Sequence, residues 1–596
     1  MHAEDRTLGV VFDAIAHLQV PLFQRPYVWK QEENWEPLWE SFSEAFLRRH
    51  LGEKRRPHFL GSIVLELSNT PHGEVTVRQI IDGQQRLSTL QILIAAMRDL
   101  AKAHSVDKYP EAFDRLVSNF VPSEKRPESR YKVWPTNQDR EPFELAMTGG
   151  SLQAIAEQLG KRESSKRLGH QMLDCYSFFY RKLEELLKDE SESDIADVFS
   201  AMYATLREDV VLVVVDLDEN DDPQLIFETL NALGTPLLPS DLVKNLLFRV
   251  AVSEEADIEQ LYERAWKPFD TDSEYWRAEV RQGRLKWGRI DIFVAHYLAL
   301  KRRDIITVPH LFSEFRSYLV EGGQSAEQNL LSLREYATTF RSFDEYPSTS
   351  REGLFFSRLE DLDTNMAIPV LLEVLRLPSQ DGDHVRFIEI LESYLVRRAI
   401  CSLMYKNYNR VFAELLRHLS RTEFRSERLR EFLVSREGET SVWPSDADFR
   451  KAIENLPAYQ KLKRSRVRML LEAIETALHE SKSERIEILD DLTVEHIMPQ
   501  RWEENWPLRD DSPEARERRE ALLHTFGNLT LVTEKLNPSL SNARWDRKRQ
   551  ALQQHSALAL NRELLGNEAW DHDAIRDRNR GIADIALTIW PREPSP

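Results

Sequence analysis

Cysteine is nearly absent. The two present, Cys175 and Cys401, lie far apart and belong to no metal-ligand spacing, which argues against a zinc–thiolate centre. Long apolar runs are also missing. The longest, VVLVVVDL at 210–217, is strand-sized and far short of the ~20 residues that span a bilayer. The first residues, MHAEDRTLGV, lack the basic-then-apolar order of a signal peptide. These absences predict a soluble, cytoplasmic protein with reduced thiols. There is no clear internal repeat, low-complexity tract or coiled-coil heptad pattern. Positive charge is in deficit, with a net charge of −19. That speaks against nucleic acid as a partner of the whole surface, because phosphate binding is driven by lysine and arginine releasing counterions. Local basic patches matter more than totals, however. KLKRSRVR (461–468), RWDRKR (544–549) and RDRNR (576–580) all fall in the C-terminal third. Each reads as a solvated helix face or as a phosphate-binding strip.

The 596 residues, 41% hydrophobic and 30% charged, suffice for several globular domains with sizeable cores. HFLGSIVLEL (58–67) and EVTVRQII (74–81) read as strands joined by the turn-rich SNTPHG. In the following segment Leu87, Leu90, Ile94, Met97 and Leu100 recur at helical spacing and predict an amphipathic helix. DVVLVVVDLD (209–218) predicts a buried strand, and DDPQLIFETLNALG (221–234) a short helix. In the next segment Ser240 is the expected N-cap of a helix. Residues 250–480 read as almost wholly helical, with a looser stretch at 436–447 as a candidate boundary. ILDDLTVEHIMPQ (488–500) then turns strand-like, and the last hundred or so residues mix short strands and helices. The expected class is α+β, predominantly helical.

Two clusters carry chemistry. In QIIDGQQRLSTL (79–90), Asp82 and Gln85 stand at capping-box spacing, with Asp as cap and Gln at the third helical position. A cap is worth about 1 kcal/mol and needs neither Gln84 nor Arg86. The same junction suits an anion. Helix N-termini present free N–H groups and the positive dipole end, Gly83 permits close backbone approach, and Arg86 offers a donor fork. PLFQRPYVWK (21–30) groups Gln24, Arg25, Tyr27 and Trp29. Aromatic faces can stack on a base, while Gln and Arg can read edges or phosphates. The plainer reading is an N-terminal arm with buried aromatics.

The order FQRPYVW, HFLGSIVL, IIDGQQRLSTL and FETLNALGTPLLPSDLVKN resembles the DGQQR family of ParB/sulfiredoxin-like domains. That family forms the N-terminal half of GmrSD-type modification-dependent (type IV) restriction endonucleases, with BrxU and the phosphorothioate-sensing SspE among its relatives. The resemblance implies a domain at 1–250 that binds or hydrolyses nucleoside triphosphate (GTP, UTP or another) and senses DNA. Asp82, Gly83, Gln84, Gln85 and Arg86 would contact nucleotide, with Asn231 and Lys244 as further candidates. Gln24, Arg25, Tyr27 and Trp29 would line the same pocket or an adjoining sensor. Phe23 stands where the family often has tyrosine, which removes a hydroxyl from this segment.

Towards the C-terminus, TVEHIMPQ (493–500) places Glu495 beside His496. Neighbours on a strand point to opposite faces, so both serve one site only where the strand ends, and Pro499 is consistent with such an end. Asn528 follows in GNLTLVT, then Asn537 before Pro538, then a helix carrying Trp545 and Lys548 that Ser541 or Asn542 can cap. This order resembles the ββα-metal (HNH) nuclease motif attached to DGQQR domains. It implies His496 as general base, Asn528 orienting it, Glu495 and Asn537 as oxygen ligands of magnesium or manganese, and Lys548 on phosphate. A third histidine is absent, so Asn537 takes the ligand role. YLVRRAIC (394–401), with Arg397 and Arg398, resembles the family's helical connector (251–435), which leaves 436–596 as the nuclease domain. His296 in FVAHYLAL reads as a core histidine.

The function expected from these resemblances is a nucleotide-regulated endonuclease of phage defence. It would cut modified double-stranded DNA, such as glucosylated or methylated cytosine DNA, and, like its relatives, would be a candidate homodimer. The alternatives are a phosphorothioate-sensing nickase of the SspE type, a nucleotide-switched regulator with an inactive nuclease site, and a plain nucleotide hydrolase.

Overall fold

In a computed structural model, residues 2–592 are described apart from 55, 69, 71–73, 121–125, 162–167, 189, 218–237, 283–284, 323, 378–381, 405–406, 480–491 and 509–511. The helix expected at 221–234, and with it Asn231, lies outside the described residues. The chain divides into two compact units, Met1–Ser273 with Leu319–Leu330, and Glu274–Tyr318 with Leu331–Pro596. The class is α+β and mostly helical.

The first unit is built on a six-stranded sheet of β1 (His2–Thr7), β2 (Ala16–Gln19), β3 (His58–Leu67), β4 (Thr76–Asp82), β5 (Val133–Trp134) and β6 (Val210–Leu217), in the order β1-β6-β3-β4-β2-β5. β6, the valine-rich run, lies inside the sheet, antiparallel to β1 and parallel to β3. A run of β-branched residues suits such a strand because both of its faces are covered. The period of two sorts the side chains: Ile63, Leu65, Ile80, Leu212 and Val214 join the large core, while Val64, Ile81, Val215 and Leu217 face the other way, with Leu242 packed on them. Leu242 belongs to α3 (Pro239–Ser253). That helix starts on Pro239 at its first turn and has no side-chain cap, so Ser240 is not its N-cap. Proline fits there because its missing N–H would have been unpaired anyway.

Helix α1 (Gln84–Ala103) runs through the main core. Ile92, Leu93, Ala95 and Ala96 are as buried as the predicted stripe, so the helix is covered all round rather than amphipathic. The helix Tyr109–Val117 and α2 (Gln171–Leu187) pack against it.

The second unit is largely helical. It contains a small hairpin, β7 (Glu279–Gln282) with β8 (Leu285–Gly288), inside the stretch read from sequence as almost wholly helical. Helix α4 (Asp383–Ile400) carries Arg397 and Arg398, both fully buried. Arg397 donates to the carbonyls of Trp590 (2.7 Å) and Pro444 (3.1 Å) and to Asp446 (2.6 Å). Arg398 donates to the carbonyls of Val442 (2.7 Å), Met404 (3.0 Å) and Glu439 (3.1 Å). The irregular stretch 436–447 is thus laced to one helix by two guanidinium forks, which satisfy carbonyls that no regular structure pairs. Nearer the C-terminus, β9 (Leu492–His496) pairs antiparallel with β10 (Leu529–Thr533), with His496 opposite Leu529 and Glu495 opposite Thr530. A compact aromatic core containing Trp502, Trp506, Trp545 and Trp570 packs in this region.

Candidate active site

β9 ends at His496, and the chain turns immediately afterwards. Thr493 and Glu495, two apart on the strand, point the same way, and His496 joins them at the strand's end. All three line a cavity of about 570 Å³ together with Pro499, Glu534 and Asn537. Asn537 opens the short helix Asn537–Leu540, and its Nδ2 donates to Thr493 Oγ1 at 2.9 Å. Its amide oxygen is therefore the side-chain atom that could face a cation.

Asn528 is fully buried and makes four hydrogen bonds. Its Oδ1 accepts from Met498 N–H (2.8 Å) and Trp570 Nε1–H (3.1 Å). Its Nδ2 donates to the carbonyls of Met498 (2.9 Å) and Leu523 (2.8 Å). The side chain grips the backbone just after His496 rather than the imidazole itself. Lys548, on α5 (Trp545–His555), is 2% exposed and does not line the cavity. Its ammonium sits 3.0 Å from Glu495 Oε1 and 2.7 Å from the His496 carbonyl. The phosphate contact expected of Lys548 is thus replaced by an internal brace on Glu495 and His496.

His496 is 4% exposed, and burial, with His524, Lys548 and Arg464 nearby, pulls its pKa down to about 3. The imidazole is unprotonated at neutral pH, the form that accepts a proton. An anion in the cavity would raise its proton affinity. Its Nε2 lies 3.1 Å from Nδ1 of His524, and the Tyr459 ring packs edge-on with centroids 4.2 Å apart.

In the first unit, the DGQQR segment lies at the β4–α1 junction. Gly83 holds the N-cap position with φ +90°, and no side chain caps the helix. The predicted capping box is not formed, because Gln85 is spent elsewhere. Its Oε1 accepts from Val28 N–H (2.8 Å) and its Nε2 donates to the Pro26 carbonyl (3.1 Å). Gln84 Nε2 donates to the Arg25 carbonyl at 3.2 Å. In return, Gln24 Nε2 donates to the carbonyls of Ile80 (3.1 Å) and Ile81 (3.0 Å). Three glutamines therefore clasp the arm 21–30 to β4 and to the start of α1. Prolines at 21 and 26 deny that arm a continuous ladder of its own. Arg86 Nη1 donates to the Ser62 carbonyl at 2.6 Å, and a Cβ on Gly61 would lie 2.8 Å from its Nη2. Burial raises the Asp82 pKa, against the pull of Gly83 N–H, Arg86 and Arg25.

Gln24, Arg25, Tyr27 and Trp29, expected to line the nucleotide pocket or an adjoining sensor, lie in different surroundings. Tyr27 is buried, its hydroxyl 2.6 Å from Thr89 Oγ1 and 2.9 Å from Trp35 Nε1. Trp29 lines a cavity of about 1150 Å³ beside His170 and Asp174. Gln24 lines a different cavity, of about 530 Å³, with Gln19, Phe23, Gln79 and Asn245. Arg25 contributes its carbonyl to Gln84 and its charge to Asp82. Lys244 is 1% exposed and ion-paired to Asp270 at 2.8 Å, with Tyr262 donating to the same carboxylate.

Residues 8–248 match the family model for the GmrSD restriction endonuclease N-terminal domain, and residues 443–585 match that for the GmrSD restriction endonuclease C-terminal domain. The chain belongs to the GmrSD restriction endonuclease family. Both constellations fall inside the matched segments, the glutamine clasp in the N-terminal one and the Glu495–His496 cavity in the C-terminal one. No curated protein matches the chain. Among the described residues of this GmrSD endonuclease, no helix is long and apolar enough to cross a membrane.

Three residues at the cavity of the GmrSD endonuclease escaped the sequence reading. Glu534 lines the cavity, His524 meets His496, and Tyr459 packs on both histidine rings. His524 sits four residues before Asn528 in HTFGNLTL, so the one available signal was a histidine flanking the GNLTL strand.

Proposed function

We propose that this GmrSD endonuclease hydrolyses phosphodiester bonds of modified double-stranded DNA in phage defence, by HNH-type chemistry at the Glu495–His496–Asn537 cavity. The observation that carries the reading is the convergence of these three side chains on one cavity, behind a strand end held by the buried Asn528. His496 takes a proton from water, and the water oxygen bonds to phosphorus. The P–O bond to the leaving sugar oxygen breaks, and that oxygen takes a proton from solvent. Glu495 and the amide oxygen of Asn537 are hard donors that fit magnesium or manganese, ions that complete their shell with water and phosphate. Among the described residues no group of three or more His, Cys, Asp or Glu could hold a metal by itself, so the proposed cation rests on Glu495 and Asn537 with water and phosphate. Bound there, the cation would offset charge developing on the phosphate.

Nucleoside triphosphate is the proposed regulator, with its phosphates at the β4–α1 junction. Support comes from Gly83 in the left-handed conformation, a helix start without a side-chain cap, and Arg86 beside it. The ParB/sulfiredoxin-like fold of this region is proposed on the same family grounds.

The test is single-turnover cleavage of modified duplex DNA with magnesium, with EDTA, and with His496→Ala. The expected result is cleavage only by the wild type with metal. Cleavage in EDTA at an equal rate would remove the metal from the reading, and cleavage by His496→Ala would remove the site.

A further inference from the structure

Among its described partners the imidazole of His496 has one hydrogen bond, to another imidazole. His496 Nε2 and His524 Nδ1 lie 3.1 Å apart with the two rings nearly perpendicular, at 85°. Both residues are more than nine-tenths buried. Tyr459 closes the same pocket, with its ring edge-on to His496 and stacked at 17° on His524. Arg464 lies over the Tyr459 ring at 3.2 Å. The His496 ring is thus confined by an aromatic wall and pinned by one polar contact.

One proton lies between the two nitrogens, and its owner decides whether His496 can act. With Nε2 committed to His524, Nδ1 is the nitrogen that remains for the cavity lined by Glu495 and Asn537. If His524 donated through Nδ1–H, the neutral His496 would carry its own proton on Nδ1 and could not take one from water. If His524 accepts, His496 is the Nε2–H tautomer and its Nδ1 lone pair is open. We infer that His524 is a positioning residue for phosphodiester hydrolysis, accepting the Nε2–H of His496 and fixing the tautomer whose Nδ1 serves as base. The inference rests on the site reading given under Proposed function. It assigns to a neutral imidazole the orienting task that a buried carboxylate performs in a Ser-His-Asp triad. The existing brace suits a neutral partner: Lys548 already carries the positive charge beside Glu495, and a second carboxylate would compete for it.

The test compares His524→Leu, which keeps bulk and loses the acceptor, with His524→Asn, whose side-chain oxygen can fall where Nδ1 was. Both are assayed in the full-length protein on cleavable duplex DNA with magnesium, alongside His496→Ala. His524→Leu should lower kcat on the order of 100-fold with little change in KM. His524→Asn should recover at least tenfold of that loss. In ¹⁵N spectra of histidine-labelled protein, His496 should be the Nε2–H tautomer in the wild type and lose that preference in His524→Leu. If His524→Leu is too unstable to assay, the wild-type tautomer and the activity of His524→Asn decide. Wild-type kcat in His524→Leu, equal losses in both variants, or an Nδ1–H tautomer of His496 in the wild type would overturn the inference while leaving the site reading intact. Cleavage by His496→Ala would bring down both.

Discussion

Asn528 gives the most demanding stability prediction. Truncation to alanine removes an acceptor from Met498 N–H and Trp570 Nε1–H, and a donor from the carbonyls of Met498 and Leu523. The residue is 0% exposed and Trp570 is 4% exposed, so water does not simply replace it. At about 1 kcal/mol net per hydrogen bond, the four contribute ~4 kcal/mol, and buried groups left unpaired raise the cost of losing them. Asn528→Ala should therefore destabilise the C-terminal unit by about 4 kcal/mol. Asn528→Asp, though isosteric, should not rescue it, because a carboxylate oxygen would face the carbonyls of Met498 and Leu523 where an N–H₂ donated. Urea unfolding followed by tryptophan fluorescence reads the change, since Trp570 is itself a partner. Cleavage should fall in parallel, because displacing the proposed base, His496, by about 1 Å costs on the order of 100-fold. A loss below about 1 kcal/mol with wild-type cleavage would refute the reasoning that the Asn528 clasp sets the position of His496.

Three further outcomes follow from the same geometry. Gly83→Ala should cost roughly 2 kcal/mol or more in thermal unfolding of the N-terminal unit, because φ is +90° and a Cβ would lie 2.6 Å from Ile63 Cγ2. Arg397→Met should destabilise the second unit by about 3 kcal/mol, at about 1 kcal/mol for each of its three hydrogen bonds, and Arg397→Lys should not restore it, since one ammonium cannot reach Trp590, Pro444 and Asp446 together. His296 is buried, and its pKa is pulled from 6.5 to about 4. Between those values the unfolded chain binds a proton that the native one refuses. Stability is full above 6.5 and should fall on acidification by up to about 1.4 kcal/mol per pH unit. Denaturant curves at pH 7.5 and 5 should show that slope reduced in His296→Leu.

Strands were legible wherever β-branched runs sat between turn residues: 58–67 and 210–217 fold as read, because backbone preference and burial agree there. The Glu495–His496 step at a strand end was legible for a different reason, Pro499 three residues on, which a continuing strand would not tolerate. Side-chain partners chosen by tertiary packing were not. Asp82 and Gln85 have capping-box spacing, yet Gln85 bonds an arm more than 50 residues upstream, a choice no local rule encodes. Tyr27 in a proline-flanked arm suits stacking or burial equally well, and only the pocket of Thr89 and Trp35 decides for burial. His524 escaped because the motif reading put Asn537 in the role of the absent third histidine, whereas folding brings a histidine to His496 from before Asn528. The four-residue strands β7 and β8 carry too few apolar residues to break a helical reading.

The central claim is that His496 cuts modified DNA under nucleotide control. Its most direct test is cleavage with magnesium of unmodified, phosphorothioated and glucosyl-hydroxymethylcytosine duplexes, with and without a panel of nucleoside triphosphates, by wild type and His496→Ala. The account predicts that the wild type cuts the glucosylated duplex at a rate that nucleotide alters, while His496→Ala binds nucleotide and cuts nothing. Cutting confined to the phosphorothioated duplex would move the sensor to that chemistry. Equal cutting of unmodified DNA, or wild-type cutting by His496→Ala, would contradict the account.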